Sequence, residues 1–129
     1  MSSKRTLIFL LVESVFVFGL DAFGEPRPKY IPPTYLNINI SDEPEAPLSN
    51  HLQKCFDFID KARQANGRVL VHCVAGVSRS GAVVVGYSMK EQGLSYERAL
   101  AFVRKSRSSV CPNEGFKAQL ENFDFQRQN

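Results

Sequence analysis

The amino-acid sequence predicts an α/β domain, with a central, mostly parallel sheet flanked by about four helices. Three observations carry that expectation. Short runs rich in β-formers, Thr34–Ile40 and Arg68–Val71, are separated by a long segment whose apolar residues recur at helical period. The second of these runs passes through a small-residue loop directly into an apolar, helix-length stretch, Ala82–Met89. Further apolar residues at helical spacing then recur to the end of the chain. At 129 residues the chain suits one domain with a single core. We divide it into an N-terminal segment (1–33), a core (34–125) and a tail (126–129).

The N-terminal segment opens with the polar, basic stretch Met1–Arg5. Leu7–Val12 and Val15–Phe18 are apolar, with Glu13-Ser14 between them. A secretory signal, a membrane span and one or two buried strands compete for this pattern. Glu13 breaks the apolar run that a signal needs. The run also falls short of the ~20 apolar residues of a span. We therefore expect one or two buried strands, with Val15-Phe16-Val17-Phe18 the best candidate. Pro26, Pro28, Pro32 and Pro33 remove backbone donors and mark an extended surface connection. Binding of a partner through these prolines is the lesser alternative.

Thr34–Ile40 alternates at period two, so Leu36, Ile38 and Ile40 share one face of a strand. The acidic loop Ser41–Pro47 follows at once, and ligand sites in open α/β sheets collect at such carboxyl ends. An aspartate in an acidic loop is ordinarily a solvated charge, which is how Glu43 and Glu45 are read. Leu48–Ala65 is a helix with Leu48, Leu52, Cys55, Phe56, Ile59 and Ala62 on its apolar face. Asn66-Gly67 is its expected left-handed stop. Cys55 belongs to the core, while Asp57 and Asp60 lie off the face. The helix Arg79–Gln92 is apolar nearly all round and should be central. Gly81 and Gly86 weaken it by roughly 1 kcal/mol each relative to alanine, so a neighbour should pack closely there. Gly93 is its C-cap. Ser95 caps the next helix, which turns Tyr96, Leu100 and Val103 inward. Arg104, Lys105 and Arg107 crowd that helix's last turn, where positive charge complements the dipole. A docking patch for an acidic or phosphorylated partner is the alternative. Phe116, Leu120 and Phe123 mark a closing helix.

The strand at Arg68–Val71 and the central helix are joined by His72-Cys73-Val74-Ala75-Gly76-Val77-Ser78-Arg79-Ser80-Gly81. A strand that turns through small residues into a helix makes an anion cradle, because loop N–H groups and the helix's positive end converge. Cys73 opens the cradle and Arg79 closes it, with five residues between them. A thiol ionises more readily in such a place. A guanidinium there holds two phosphate oxygens in a fork.

His-Cys-x5-Arg-Ser is the signature loop of the cysteine-dependent protein phosphatases, and His72–Ser80 resembles their dual-specificity branch. The similarity runs roughly from Tyr35 to Phe123. Asp42 lies 31 residues before Cys73, where that family keeps its general acid. Pro112-Asn113-Glu114-Gly115-Phe116 with Gln119-Leu120 resembles the start of its last helix. The chain has no Trp, whereas the tyrosine-specific branch usually carries one before its acid. The resemblance implies a cysteine-phosphatase-like fold. The strand pair and helix with which the family normally begins are not evident, so the chain resembles a shortened version.

The resemblance also implies roles. Cys73 would attack phosphorus as a thiolate, giving a phosphocysteine. Arg79 and the N–H groups of Val74, Ala75, Gly76, Val77, Ser78 and Arg79 would bind the phosphate and stabilise its charge. Asp42 would protonate the leaving oxygen and then activate water. The Ser80 hydroxyl would hydrogen-bond the sulfur and help it leave. His72 would hold the loop backbone and tune Cys73, with plain strand packing as the alternative. Asn113 would either tether the signature loop or cap the last helix.

The loop interior carries no lysine, which speaks against inositol phosphates, and no long tyrosine-recognition loop is evident. A shallow pocket admitting phosphotyrosine, phosphoserine and phosphothreonine is therefore expected, with phosphorylated proteins as partners. No metal or other cofactor is required. The net charge of +3 is too mild to argue for nucleic acid. Cys55, Cys73 and Cys111 have neither disulfide-framework nor zinc spacing. A nucleophilic thiol suits a reducing compartment, so cytoplasm or nucleus is expected, with secretion the minor alternative if residues 1–24 act as a signal. Two other functions compete with ester hydrolysis. One is a phosphate-binding or scaffolding module that keeps the cradle with little turnover. The other is sulfur transfer by a rhodanese-like loop, which Arg79-Ser80 and Asp42 disfavour.

Overall fold

The computed structural model describes residues 7–12, 35–64, 68–73 and 78–125. Their elements are β1 (Leu7–Val12), β2 (Tyr35–Ile38), α1 (Ser49–Gln64), β3 (Arg68–His72), α2 (Arg79–Gln92), α3 (Tyr96–Arg104) and α4 (Glu114–Asn122). The strands form one parallel sheet in the order β2-β1-β3. The N-terminal segment thus supplies a strand, the middle one of the described sheet. That strand is Leu7–Val12; the favoured run Val15–Phe18 lies outside the described residues, as do the prolines that follow. A middle strand of a parallel sheet is covered on both faces and reads as a continuous apolar run, as Leu-Ile-Phe-Leu-Leu-Val does.

Register sets the geometry of the functional edge. Ile38 of β2 lies opposite Val12, and His72 of β3 lies opposite Leu11, one step earlier. Cys73, one residue past His72, is therefore level with Ile38 at the carboxyl end of the sheet. Because all three strands run the same way, the loops after β2 and β3 leave from one edge. They start two strand spacings, about 10 Å, apart.

Helix α1 crosses between β2 and β3, the long connection that parallel strands require. Its buried residues, Leu52, Cys55, Phe56, Ile59 and Ala62, follow helical spacing onto the sheet. The stop expected at Asn66-Gly67 is outside the described residues. Helix α2 is buried on most sides. A methyl group on Gly81 would come within 2.7 Å of Val110 Cγ1, and one on Gly86 within 2.8 Å of Leu120 Cδ2. These are the close neighbours that two helical glycines call for. Gly93 ends α2 at φ 65°, its N–H bonded to the Met89 carbonyl. Ser95 Oγ accepts from the Arg98 N–H at 3.3 Å and starts α3. Ala99 rather than Leu100 joins Tyr96 and Val103 as the fully buried face of α3; Leu100 is half-buried. Phe116 and Leu120 bury the inner face of α4, with half-buried Phe123 just past its end. No helix among the described residues is long and apolar enough to cross a membrane.

Candidate active site

Cys73 is the first residue beyond β3, and Arg79 is the first residue of α2. Between them Ser78 occupies the N-cap of α2 without capping it by its side chain. Its hydroxyl instead accepts the backbone N–H of Asn113 at 3.0 Å. The first-turn donors of α2 need other acceptors. One of them, the Ser80 N–H, points at Cys73 Sγ from 3.3 Å. The Ser80 hydroxyl lies 3.3 Å from the same sulfur and shares a hydrogen bond with it. The N-terminal end of the helix and a hydroxyl thus meet on one sulfur.

Arg79 is only 8% exposed. Its Nη1 donates to the Ile40 carbonyl at 3.1 Å, and its Nε has no acceptor among the described residues. A buried guanidinium with a free donor is a polar group in need of an acceptor. The oxygens of a bound phosphate have that chemistry.

The acid loop is joined to the signature loop at two places. The first is the Ile40 carbonyl on Arg79. The second runs through Asn113, whose Nδ2 donates to Asp42 Oδ1 at 2.9 Å while its N–H donates to Ser78. Asn113 also caps α4, its Oδ1 accepting the Phe116 N–H at 2.8 Å. The side chain of Asn113 thus caps α4 and bonds Asp42, while its contact with Ser78 is made by the backbone N–H. Asp42 itself is exposed, as are Glu43 and Glu45; only Asp42 meets Asn113.

Val74, Ala75, Gly76 and Val77 lie outside the described residues, as does the His72 side chain. The other two cysteines differ sharply from Cys73. Cys55 is fully enclosed in α1, and burial pushes its thiol up to about 12 despite the opposing charge of Lys54. Cys111 is exposed. Of the three arginine and lysine residues at the end of α3, Arg104 is engaged, its Nε donating to the Val110 carbonyl at 2.8 Å.

Sequence reasoning did not find the Ile40 carbonyl, the Ser78 hydroxyl as an acceptor, or the way α4 meets the acid loop. A backbone carbonyl leaves no mark in sequence. The α4 contacts had a signal, the grouping of Asn113, Gly115 and Gln119, but no local rule assigned it a partner.

Residues 25–126 match the model of the dual specificity phosphatase catalytic domain. The chain belongs to the dual specificity phosphatase family. It is 44% identical over 98 residues to dual specificity protein phosphatase 15 of Rattus norvegicus, covering 76% of this chain and 42% of the relative. The chain therefore spans less than half the length of that curated relative. Among solved structures, human DUSP28 superposes with a TM-score of 0.74 at 31% identity, covering 91% of this chain and 72% of the other. A human tyrosine phosphatase-like serine/threonine/tyrosine-interacting protein also gives a TM-score of 0.74, at 32% identity, over 91% and 74% of the two chains. The fold of this dual specificity phosphatase domain is that of the cysteine phosphatases, an α/β sheet with helices packed around it.

Proposed function

We propose that this domain hydrolyses phosphate monoesters on proteins, of phosphotyrosine and of phosphoserine and phosphothreonine, through a phosphocysteine intermediate. The observation that carries the reading is the pair of 3.3 Å contacts at the start of α2, the Ser80 N–H donating to Cys73 Sγ and the Cys73 thiol bonding the Ser80 hydroxyl oxygen. In the first step the Cys73 thiolate forms an S–P bond as the P–O ester bond breaks. The electron pair of that bond goes to the leaving oxygen, which takes a proton from the Asp42 carboxyl. Arg79 and the loop amides hold the phosphoryl oxygens throughout, supplying charge stabilisation in place. In the second step water attacks phosphorus and returns a proton to Asp42. The S–P bond breaks and the thiolate leaves, stabilised by the Ser80 contacts. Orthophosphate and the free enzyme result. Such a thiol works in a reducing compartment, which supports a cytoplasmic or nuclear setting.

The second reading is a module that binds phosphorylated partners with little turnover. The tyrosine phosphatase-like interacting protein with the same fold favours keeping it in view. Cys73, Asp42 and Arg79 together favour the enzyme. Hydrolysis of p-nitrophenyl phosphate decides between them. Wild type should turn over and Cys73→Ser should not, while a folded wild type without activity would leave the binding module.

A further inference from the structure

The loop that delivers Asp42 is fastened from behind by α4. The Gln119 side chain spans two backbone groups: its Nε2 donates to the Ala46 carbonyl and its Oε1 accepts the Ser49 N–H, both at 2.8 Å. One amide thus fixes the end of the acid loop and satisfies a first-turn donor of α1. Gly115, four residues earlier and so on the same helical face, lies directly against Pro44. A Cβ at 115 would run into the Pro44 carbonyl oxygen. Asn113 completes the series by bonding Asp42 itself. The loop between Ile40 and Leu48 therefore touches α4 or its cap at Asp42, Pro44 and Ala46, every second residue.

We propose that Gln119 is a positioning residue for the general acid, and that Gly115 and Gln119 form a brace that sets where the Asp42 carboxyl stands over the signature loop. The idea rests on the hydrolytic reading above, in which Asp42 protonates the leaving oxygen. Asp42 is exposed and on a loop, and its side chain is bonded by Asn113, the cap of the same helix. Displacement of a reacting group by about 1 Å can cost up to about 10²-fold in rate.

The test compares an ester whose leaving group needs a proton, phenyl phosphate, with one that needs it less, p-nitrophenyl phosphate. The ratio of the two kcat/KM values, measured on one preparation of the full chain, is independent of how much of it is folded and reports only the steps through departure of the leaving group, before the shared phosphocysteine is hydrolysed. Gln119→Met should lower the phenyl to p-nitrophenyl ratio by about tenfold. The same substitution in an Asp42→Asn background should leave the already lowered ratio where it is. Gln119→Glu keeps an acceptor for the Ser49 N–H but loses the donor to the Ala46 carbonyl; it should shift the ratio in the same direction, and it carries the test alone if Gln119→Met does not fold. An unchanged ratio in a folded variant, or an equal drop with and without Asp42, overturns the brace while leaving hydrolysis standing. Loss of the hydrolytic reading looks different: wild type turns over neither ester, or Cys73→Ser turns over both.

Discussion

Cys55 and Cys73 are both buried cysteines in one small domain, yet their surroundings differ. Cys55 faces apolar neighbours in α1, and desolvation holds its thiol near 12. Cys73 faces the N–H of a helix's first turn and a hydroxyl. The difference was legible in sequence, because only Cys73 stands between a strand and a small-residue turn with an arginine six positions on. Spacing from Cys73 is what points to Asp42 in the sequence, and in the structure Asn113 bonds Asp42. Asp42→Ala should therefore cut phosphopeptide turnover by roughly 10²–10⁴ while leaving phosphopeptide affinity largely intact. Glu43→Ala should stay close to wild type. Steady-state kinetics with a binding measurement checks this pair, and equal losses in the two variants would remove Asp42 from its role. The contacts to the Ile40 carbonyl and the Ser78 hydroxyl were not legible, because backbone oxygens and rotatable hydroxyls find partners only after the chain has folded.

The helices were the most readable elements, because their apolar faces repeat within the helix itself. Leu52, Phe56 and Ile59 placed α1, and Gly93 and Ser95 marked the turn from α2 to α3. The N-terminal strand was harder. Leu7–Val12 and Val15–Phe18 are both apolar runs; Leu7–Val12 pairs with β2 and β3, and Val15–Phe18 lies outside the described residues. Helix α1 also carries a titratable liability. His51 is half-buried, its Nδ1 has no hydrogen-bond partner among the described residues, and burial, followed by the charge of Lys54, lowers its pKa below the ordinary 6.5. Below about pH 6.5 the unfolded chain takes up a proton that the folded one resists, so stability falls as pH falls and is unaffected by this group above that value. Urea unfolding from about pH 7.5 to about pH 5.5 should show wild type losing more stability than His51→Gln. Identical losses would clear His51 of the effect.

At the scale of the whole molecule, the parallel sheet does the first half of the positioning. It sends the loops after β2 and β3 out of one edge, about 10 Å apart at their roots. The closing helix does the second half, reaching back across about 70 residues of sequence to hold the acid loop against the signature loop. The sheet and its functional edge could be read from strand patterns and loop chemistry. The return of α4 could not, because periodicity reports which face of a helix is buried and not what lies against it. In the proposed reading, these contacts serve a sulfur that takes and releases a phosphoryl group. The most direct measurement is to quench the enzyme with acid during turnover of a phosphotyrosine peptide, digest it and weigh the fragments. A phosphoryl group should be found on the Cys73 peptide, more of it in Ser80→Ala, where the sulfur is a poorer leaving group, and none in Cys73→Ser. Steady turnover with no phosphoryl group on Cys73, or undiminished turnover by Cys73→Ser, would contradict it.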